Sequence, residues 1–281
     1  MGFFKRDDTP GTGLRLTGWA RFTEIVTRDF ARFFLLNLLT ILGLTPFILG
    51  MVYAMNEGSL VLIPFAAIIG GAIGGPFLVA MIDTIFRSLR DAPGGIMENY
   101  KKAWKQDWKA SVVPGIFFFL FMAFYICLIF LYLLAGIPVN TVVLVIAFIG
   151  LLVITMFFTC LWPQIAIFTL TPGQMVKNCF IFNIHNMWKL LALAFLQIGY
   201  WLAIAALIPY TLLIVGVFGF WFIFFLVYFF LYKEFNTEFR IEERIAEAHP
   251  EQAAFYETDE EWLKRKQQEE LEESAKKEEQ K

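Results

Sequence analysis

Residues 110–176 read ASVVPGIFFFLFMAFYICLIFLYLLAGIPVNTVVLVIAFIGLLVITMFFTCLWPQIAIFTLTPGQMV, and no charged side chain occurs anywhere in this run. About 20 apolar residues cross a hydrocarbon core, so the run is too long for one span. Gly136-Ile137-Pro138-Val139-Asn140 interrupts it with helix-stopping residues, dividing it into spans at about 112–135 and 140–162. Outward from this run, uncharged stretches lie between Arg32 and Glu57, between Glu57 and Asp83, and over 190–232. They predict spans at about 33–55, 59–82, 190–209 and 212–232, the last two turning near Pro209-Tyr210-Thr211.

Charge sets the orientation. With two spans in 110–176, all 23 Lys and Arg residues fall on one side of the membrane; with three, they split 12 to 11. Cytoplasmic loops carry the excess of Lys and Arg, so the even count is favoured. The expected fold is therefore all-α: a polytopic helical membrane protein of six transmembrane helices, with both termini cytoplasmic. An N-terminal arm (1–17) precedes the membrane domain (18–235), and a charged, partly disordered tail (236–281) follows. In that tail Trp262, Leu263 and Leu271 are too few for a heptad seam.

Composition agrees. Apolar residues make up 58% and charged residues 17%, against about 25% charged in an ordinary soluble domain. The net charge of −2 and the lack of a basic domain exclude nucleic acid as an implied partner. The N-terminus shows no cleavable signal pattern, so the first span is expected to act as an uncleaved insertion signal. Arg6 occupies the position where myristoylation of Gly2 needs Ser or Thr.

Two charged stretches have helical periodicity. Trp19, Phe22, Val26, Phe30 and Phe33 recur at three- and four-residue steps, with Arg21, Glu24, Arg28 and Arg32 on another face. This pattern predicts an amphipathic helix with cationic rims at the headgroups. Farther on, Ile96, Tyr100, Trp104 and Trp108 recur every four residues beside Lys101, Lys102, Lys105 and Lys109. Tyr and Trp favour the interface and the lysines favour anionic lipid, so Trp19, Tyr100, Trp104 and Trp108 are interfacial candidates. Either stretch serves as a membrane-surface anchor or as a docking surface for another protein.

Within the spans no ionisable residue is central. Asp83 stands four residues before Arg87 at the end of span two, a spacing suited to an intrahelical pair. The neutral polar residues Asn37, Thr40, Thr155, Gln164 and Gln197 are candidates to line a polar path; their ordinary role is interhelical hydrogen bonding. Thr45 and Thr159 belong to the same group. Gly70/Gly74 and Gly71/Gly75 form two overlapping small-xxx-small pairs, followed by Pro76, which predict close helix packing. Pro163 either kinks the fourth span or ends it, before a partly apolar return segment over 163–189.

No catalytic constellation is legible, and no enzyme activity is expected. His185 and His249 stand alone, and Cys127, Cys160 and Cys179 form no metal-ligand or disulfide pattern, so neither metal nor cofactor is implied.

Several stretches together resemble the YesL-like family of bacterial membrane proteins, whose domain has no assigned function. They are Phe34-Leu35-Leu36-Asn37-Leu38-Leu39-Thr40 running on to Thr45-Pro46, then Gly75-Pro76 with the helix to Arg87-Ser88-Leu89-Arg90-Asp91. The loop from Tyr100 to Lys109 and the stretch from Asn178 to Lys189 complete the set, and the likeness covers roughly 20–235. The Asp91-Ala92-Pro93-Gly94-Gly95 loop is less acidic than is usual in that family. The resemblance implies the cytoplasmic membrane of a bacterium and an accessory role near carbohydrate uptake, with a transporter as partner; it carries over no site residues. The expected function is thus an accessory or scaffolding component acting through protein contacts in the bilayer. The alternative is a channel or passive transporter subunit.

Overall fold

A computed structural model describes residues 15–92, 95–129 and 140–248, and a few positions of the tail. The sequence readings on Met1–Arg6, Pro93-Gly94, the Ile96 side chain, the end of span three, the Gly136–Val139 turn, His249, Trp262 and Leu263 fall outside the described residues. The described chain is helical, with no strand: α1 Gly18–Asn56, α2 Leu62–Leu89, α3 Ile96–Ile129, α4 Thr141–Ile167, α5 Pro172–His185, α6 Met187–Ala206, α7 Leu212–Val217, α8 Gly219–Phe239 and α9 Ile241–Ala248. Five of these, α1, α2, α3, α4 and α6, are long and apolar enough to cross a membrane.

The two amphipathic stretches do not form separate surface helices. At 39 residues α1 is about 58 Å long, and at 34 residues α3 is about 51 Å. Each therefore carries its amphipathic stretch as a direct extension beyond a hydrocarbon core of about 30 Å. The other end of α1 stops where Gly58, at φ +63, lets the Ser59 N–H reach the Ala54 carbonyl, which is a Schellman closure.

Helix α2 is the axis of the bundle, packed by α1 on one side and α3 on the other, because its glycines serve both faces. A β-carbon on Gly74 would lie 2.7 Å from Leu44 Cδ2 of α1, and one on Gly71 would lie 2.7 Å from the Gly115 carbonyl oxygen of α3. One on Gly75 would lie 2.7 Å from the Ser111 carbonyl oxygen. Each contact is closer than real β-carbons approach, so both small-xxx-small pairs are packing surfaces, one for each neighbour.

Pro163 lies inside α4, which runs four residues further to Ile167. The return segment then becomes α5, started by Pro172 at its first turn and by a reciprocal capping box between Thr171 and Gln174. Its inner face carries Met175, Cys179 and Phe182, and Phe182 stacks on Phe235 of α8 at 4.4 Å between ring centroids. The aromatic core continues through Phe86 with Tyr228 and Phe33 on Trp221. By contrast Val142, Val145, Ile146, Ile149 and Val153 of α4 are exposed, an outward apolar face compatible with a membrane.

The stretch expected as span six is not one helix. It breaks at Phe218 into α7 and α8, and α8 runs on to Phe239, taking in Lys233, Glu234 and Glu238. The ends of α2 and α8, the starts of α1 and α9, and the α5–α6 junction meet at one end of the bundle. Links such as Lys189 Nζ to Glu234 Oε1 (2.6 Å) and Asn186 Nδ2 to Glu238 Oε1 (3.0 Å) join them.

Candidate functional site

A helix leaves its last carbonyls without intrahelical donors. At the end of α2 three arginines supply them. Arg28 donates to the Ser88 carbonyl at 3.0 Å, Arg21 to Leu89 at 3.1 Å and Arg15 to Arg90 at 2.9 Å. The chain then turns left-handed at Asp91 (φ 60), a conformation that Asp tolerates better than most residues. This turn brings the fully buried Asp91 carboxylate among the same three guanidinium groups. Arg15 Nε lies 3.1 Å from Oδ2, Arg21 bonds the same oxygen, and Arg28 bonds Oδ1.

The network extends on both sides. Arg28 and Arg32 both bond Asp29, at 2.9 and 3.0 Å, and Arg21 bonds Glu24 at 2.8 Å. Arg15 reaches Glu242 of α9 at 2.6 Å, and Tyr232 donates to that same carboxylate at 2.7 Å. The charged face of the α1 extension thus points inward: Arg21, Arg28 and Arg32, expected as an outward cationic rim, turn to partners within the protein. For Arg21 and Arg28 the physical reason is the orphan carbonyls of α2, which attract the guanidinium groups into a partly buried site where charged hydrogen bonds are strong, while Arg32 turns in to Asp29.

Protonation follows from these contacts. Burial works against the charge on Arg28, but Asp29 and then Asp91 more than offset it and hold its pKa above the ordinary arginine value. Burial opposes the charge on Arg15 too, and Glu242 above all raises it. Burial lowers the pKa of Arg90. On α3, Asp107 is pushed up to about 7 by burial and by the Asp83 charge, with Arg87 pulling the other way. The Asp83–Arg87 pair expected from spacing is present at 2.6 Å.

The polar candidates of the apolar helices are not brought together into one lining. Asn37, fully buried, donates from Nδ2 to the Val215 and Gly216 carbonyls and accepts from the Phe220 N–H at Oδ1, all at 2.8 Å. It bridges the α7–α8 break. Thr40 bonds Met81 Sδ at 3.4 Å, and Thr155 bonds back to the Leu151 carbonyl at 2.7 Å. Gln197 donates to Thr159 Oγ1 at 3.0 Å, tying α6 to α4. Gln164 sits between the sulfurs of Cys160 and Cys179, at 3.3 and 3.1 Å.

Of the interfacial candidates Trp19, Trp104 and Trp108 are exposed, whereas Tyr100 is buried and burial raises its pKa. Among the described residues no group of three or more His, Cys, Asp or Glu side chains could hold a metal ion. Sequence reasoning missed the Asp91 clamp and the Asn37 bridge. For the clamp a signal exists: Arg21 and Arg28 are seven residues apart, hence on one helix face, and Arg90-Asp91 follows the end of a hydrophobic helix.

No protein-family model matches this chain, and neither does any curated protein or solved structure.

Proposed function

We propose that this chain is an accessory or scaffolding component of a bacterial cytoplasmic membrane, with six spans and cytoplasmic termini, acting through protein contacts at its charged end. The observation that carries the reading is where unsatisfied chemistry is exposed. Inside the bundle Asn37, Thr40, Thr155 and Gln197 are bonded to backbone, to one another's helices or to sulfur, and Gln164 bonds sulfur through Nε2 while its Oε1 is without a partner among the described residues. At the charged end Lys101, Lys102, Lys105 and Lys109 remain exposed beside Trp104 and Trp108 on the rigid extension of α3. The Trp side chains suit the core of a protein interface, and the lysines its polar rim. The YesL-like resemblance suggests a carbohydrate transporter as that partner.

Affinity purification of the tagged full chain from its native membrane in mild detergent, with mass spectrometry, tests this. Stoichiometric recovery of a membrane complex that Trp104→Ala plus Lys105→Glu releases is the expected result. Recovery of the chain alone, even after crosslinking in intact cells, would sink it.

The alternative, a channel or passive transporter subunit, draws support from the α7–α8 break, since interrupted helices line transport sites in many carriers. Cysteine placed at Gly216 in a background lacking Cys127, Cys160 and Cys179 tests it. Labelling by a membrane-impermeant thiol reagent is expected on that reading, and protection argues against it.

A further inference from the structure

Helix α5 turns one face to the core and the other outward. Met175, Cys179 and Phe182 point in, whereas Val176, Phe180, Ile181 and Ile184 are exposed, Ile184 at 77%. Lys177, in the second turn, is the one charged residue on this outer side. At the far end of α5 the charged groups are drawn to α8, His185 to Glu238 at 2.8 Å and Lys189 to Glu234 at 2.6 Å. The helix does not hang beyond the end of α4 but lies along it. Gln164 Nε2 bonds Cys179 Sγ at 3.1 Å, and Phe180 meets Phe157 at 5.9 Å between ring centroids. Phe157 stands ten residues before the end of α4, about 15 Å along the helix, and inside the span expected at about 140–162. The outer face of α5 is also continuous with its neighbours. Ile149, Val153 and Phe157 follow at four-residue steps, so the exposed face of α4 leads onto Phe180. On α6 Trp188, Phe195 and Leu202 are exposed at seven-residue steps, beginning three residues after α5 ends.

We propose that α5 is an interfacial helix whose outer face is sunk in the cytoplasmic leaflet, with Phe180, Ile181 and Ile184 against lipid acyl chains. Trp188 and Lys177 mark its headgroup border, where an indole ring and a lysine reaching outward on its apolar stem are both stable. Helices of this kind bury their apolar face about 5–10 Å into the boundary between headgroups and acyl chains. A second copy of the chain would cover the same side chains, but continuity with the exposed faces of α4 and α6 favours lipid. The inference rests on the membrane reading above and is independent of the accessory role.

The test is spin-label accessibility of the full chain in vesicles of phosphatidylethanolamine and phosphatidylglycerol. Collision with oxygen reports acyl chains, and collision with a water-soluble nickel chelate reports water. Labels are placed by Ile184→Cys, Ile149→Cys and Lys101→Cys in a Cys127→Ser chain, whose remaining cysteines, Cys160 and Cys179, are buried. The label at Ile184→Cys is expected to favour oxygen over the chelate, with a ratio close to that at Ile149→Cys on α4 and well above that at Lys101→Cys. Ile181→Cys, on the same face, stands in should Ile184→Cys fail to fold. A chelate-rich signal on α5 beside an oxygen-rich one at Ile149→Cys places the face in water and overturns the proposal while the membrane reading stands. Low collision with both reagents on α5 means that protein covers the face, a second copy included, and overturns it as well. A chelate-rich signal at Ile149→Cys overturns the membrane reading and the proposal together.

Discussion

The Asn37 side-chain oxygen accepts a 2.8 Å hydrogen bond from the Phe220 backbone N–H, while its amide nitrogen serves carbonyls on the other side of a break between two helices. A helix interrupted among apolar neighbours leaves backbone groups that no water satisfies, and one amide side chain meets three of them. The space is closed as well, since a β-carbon on Gly219 would lie 2.8 Å from Asn37 Oδ1.

Asn37→Leu is therefore expected to leave two carbonyls and one N–H without partners. At roughly 1–3 kcal/mol for each buried group left unsatisfied, the three together cost about 3 kcal/mol or more. Asn37→Asp replaces the donor with a charge facing two carbonyls and is expected to be worse. Thermal unfolding of the detergent-solubilised chain measures both, and a Leu variant as stable as wild type refutes the bridge.

Asp91 concentrates three arginines on one buried carboxylate. Asp91→Asn keeps the shape and removes the charge, leaving guanidinium groups partly buried without their counterion. Breaking a buried pair in this way costs about 3–5 kcal/mol. The variant is expected to melt markedly lower and to lose protection of the α2 end in hydrogen exchange. Arg32→Gln, which touches only Asp29 among these acids, is expected to cost much less.

Gly71 and Gly75 set the α2–α3 distance. Gly71→Leu forces the helices apart against the Gly115 backbone, which cannot rotate away, at a cost of about 1–3 kcal/mol or more. Gly95→Ala, where nothing lies within 4 Å of an added β-carbon, is the matched control. Equal melting temperatures for the two variants would refute the packing role.

Asp107 supplies a pH dependence. Its pKa is raised from 3.8 to about 7 in the folded chain, so around pH 5 to 6 the folded state binds a proton that the unfolded state has released. Stability contributed by this group therefore falls as pH rises from about 4 to about 7 and is level above that. Melting curves at pH 6 and pH 8 should differ more in wild type than in Asp107→Asn. Identical pH dependence in the two proteins removes Asp107 as the source.

The sequence by itself determined the helical class, most helix positions and the gathering of charge at one end. These follow from local composition: a long uncharged run satisfies its backbone only as helix in a bilayer, and charges confine its ends. It also disclosed the Asp83–Arg87 pair and the glycine packing faces, because both rest on helical periodicity. What tertiary structure alone decided is which way the α1 arginines point. Periodicity shows that Arg21 and Arg28 share a face, but the α2 carbonyls and Asp91 that receive them are 60 to 70 residues away along the chain. The break at Phe218 belongs to the same class. Val215, Gly216 and Phe220 read as one uniform apolar helix, and the bonds that make interruption tolerable come from Asn37, about 180 residues earlier. Apolarity is a property of each segment, whereas a hydrogen-bond partner for a buried group exists only once distant segments meet.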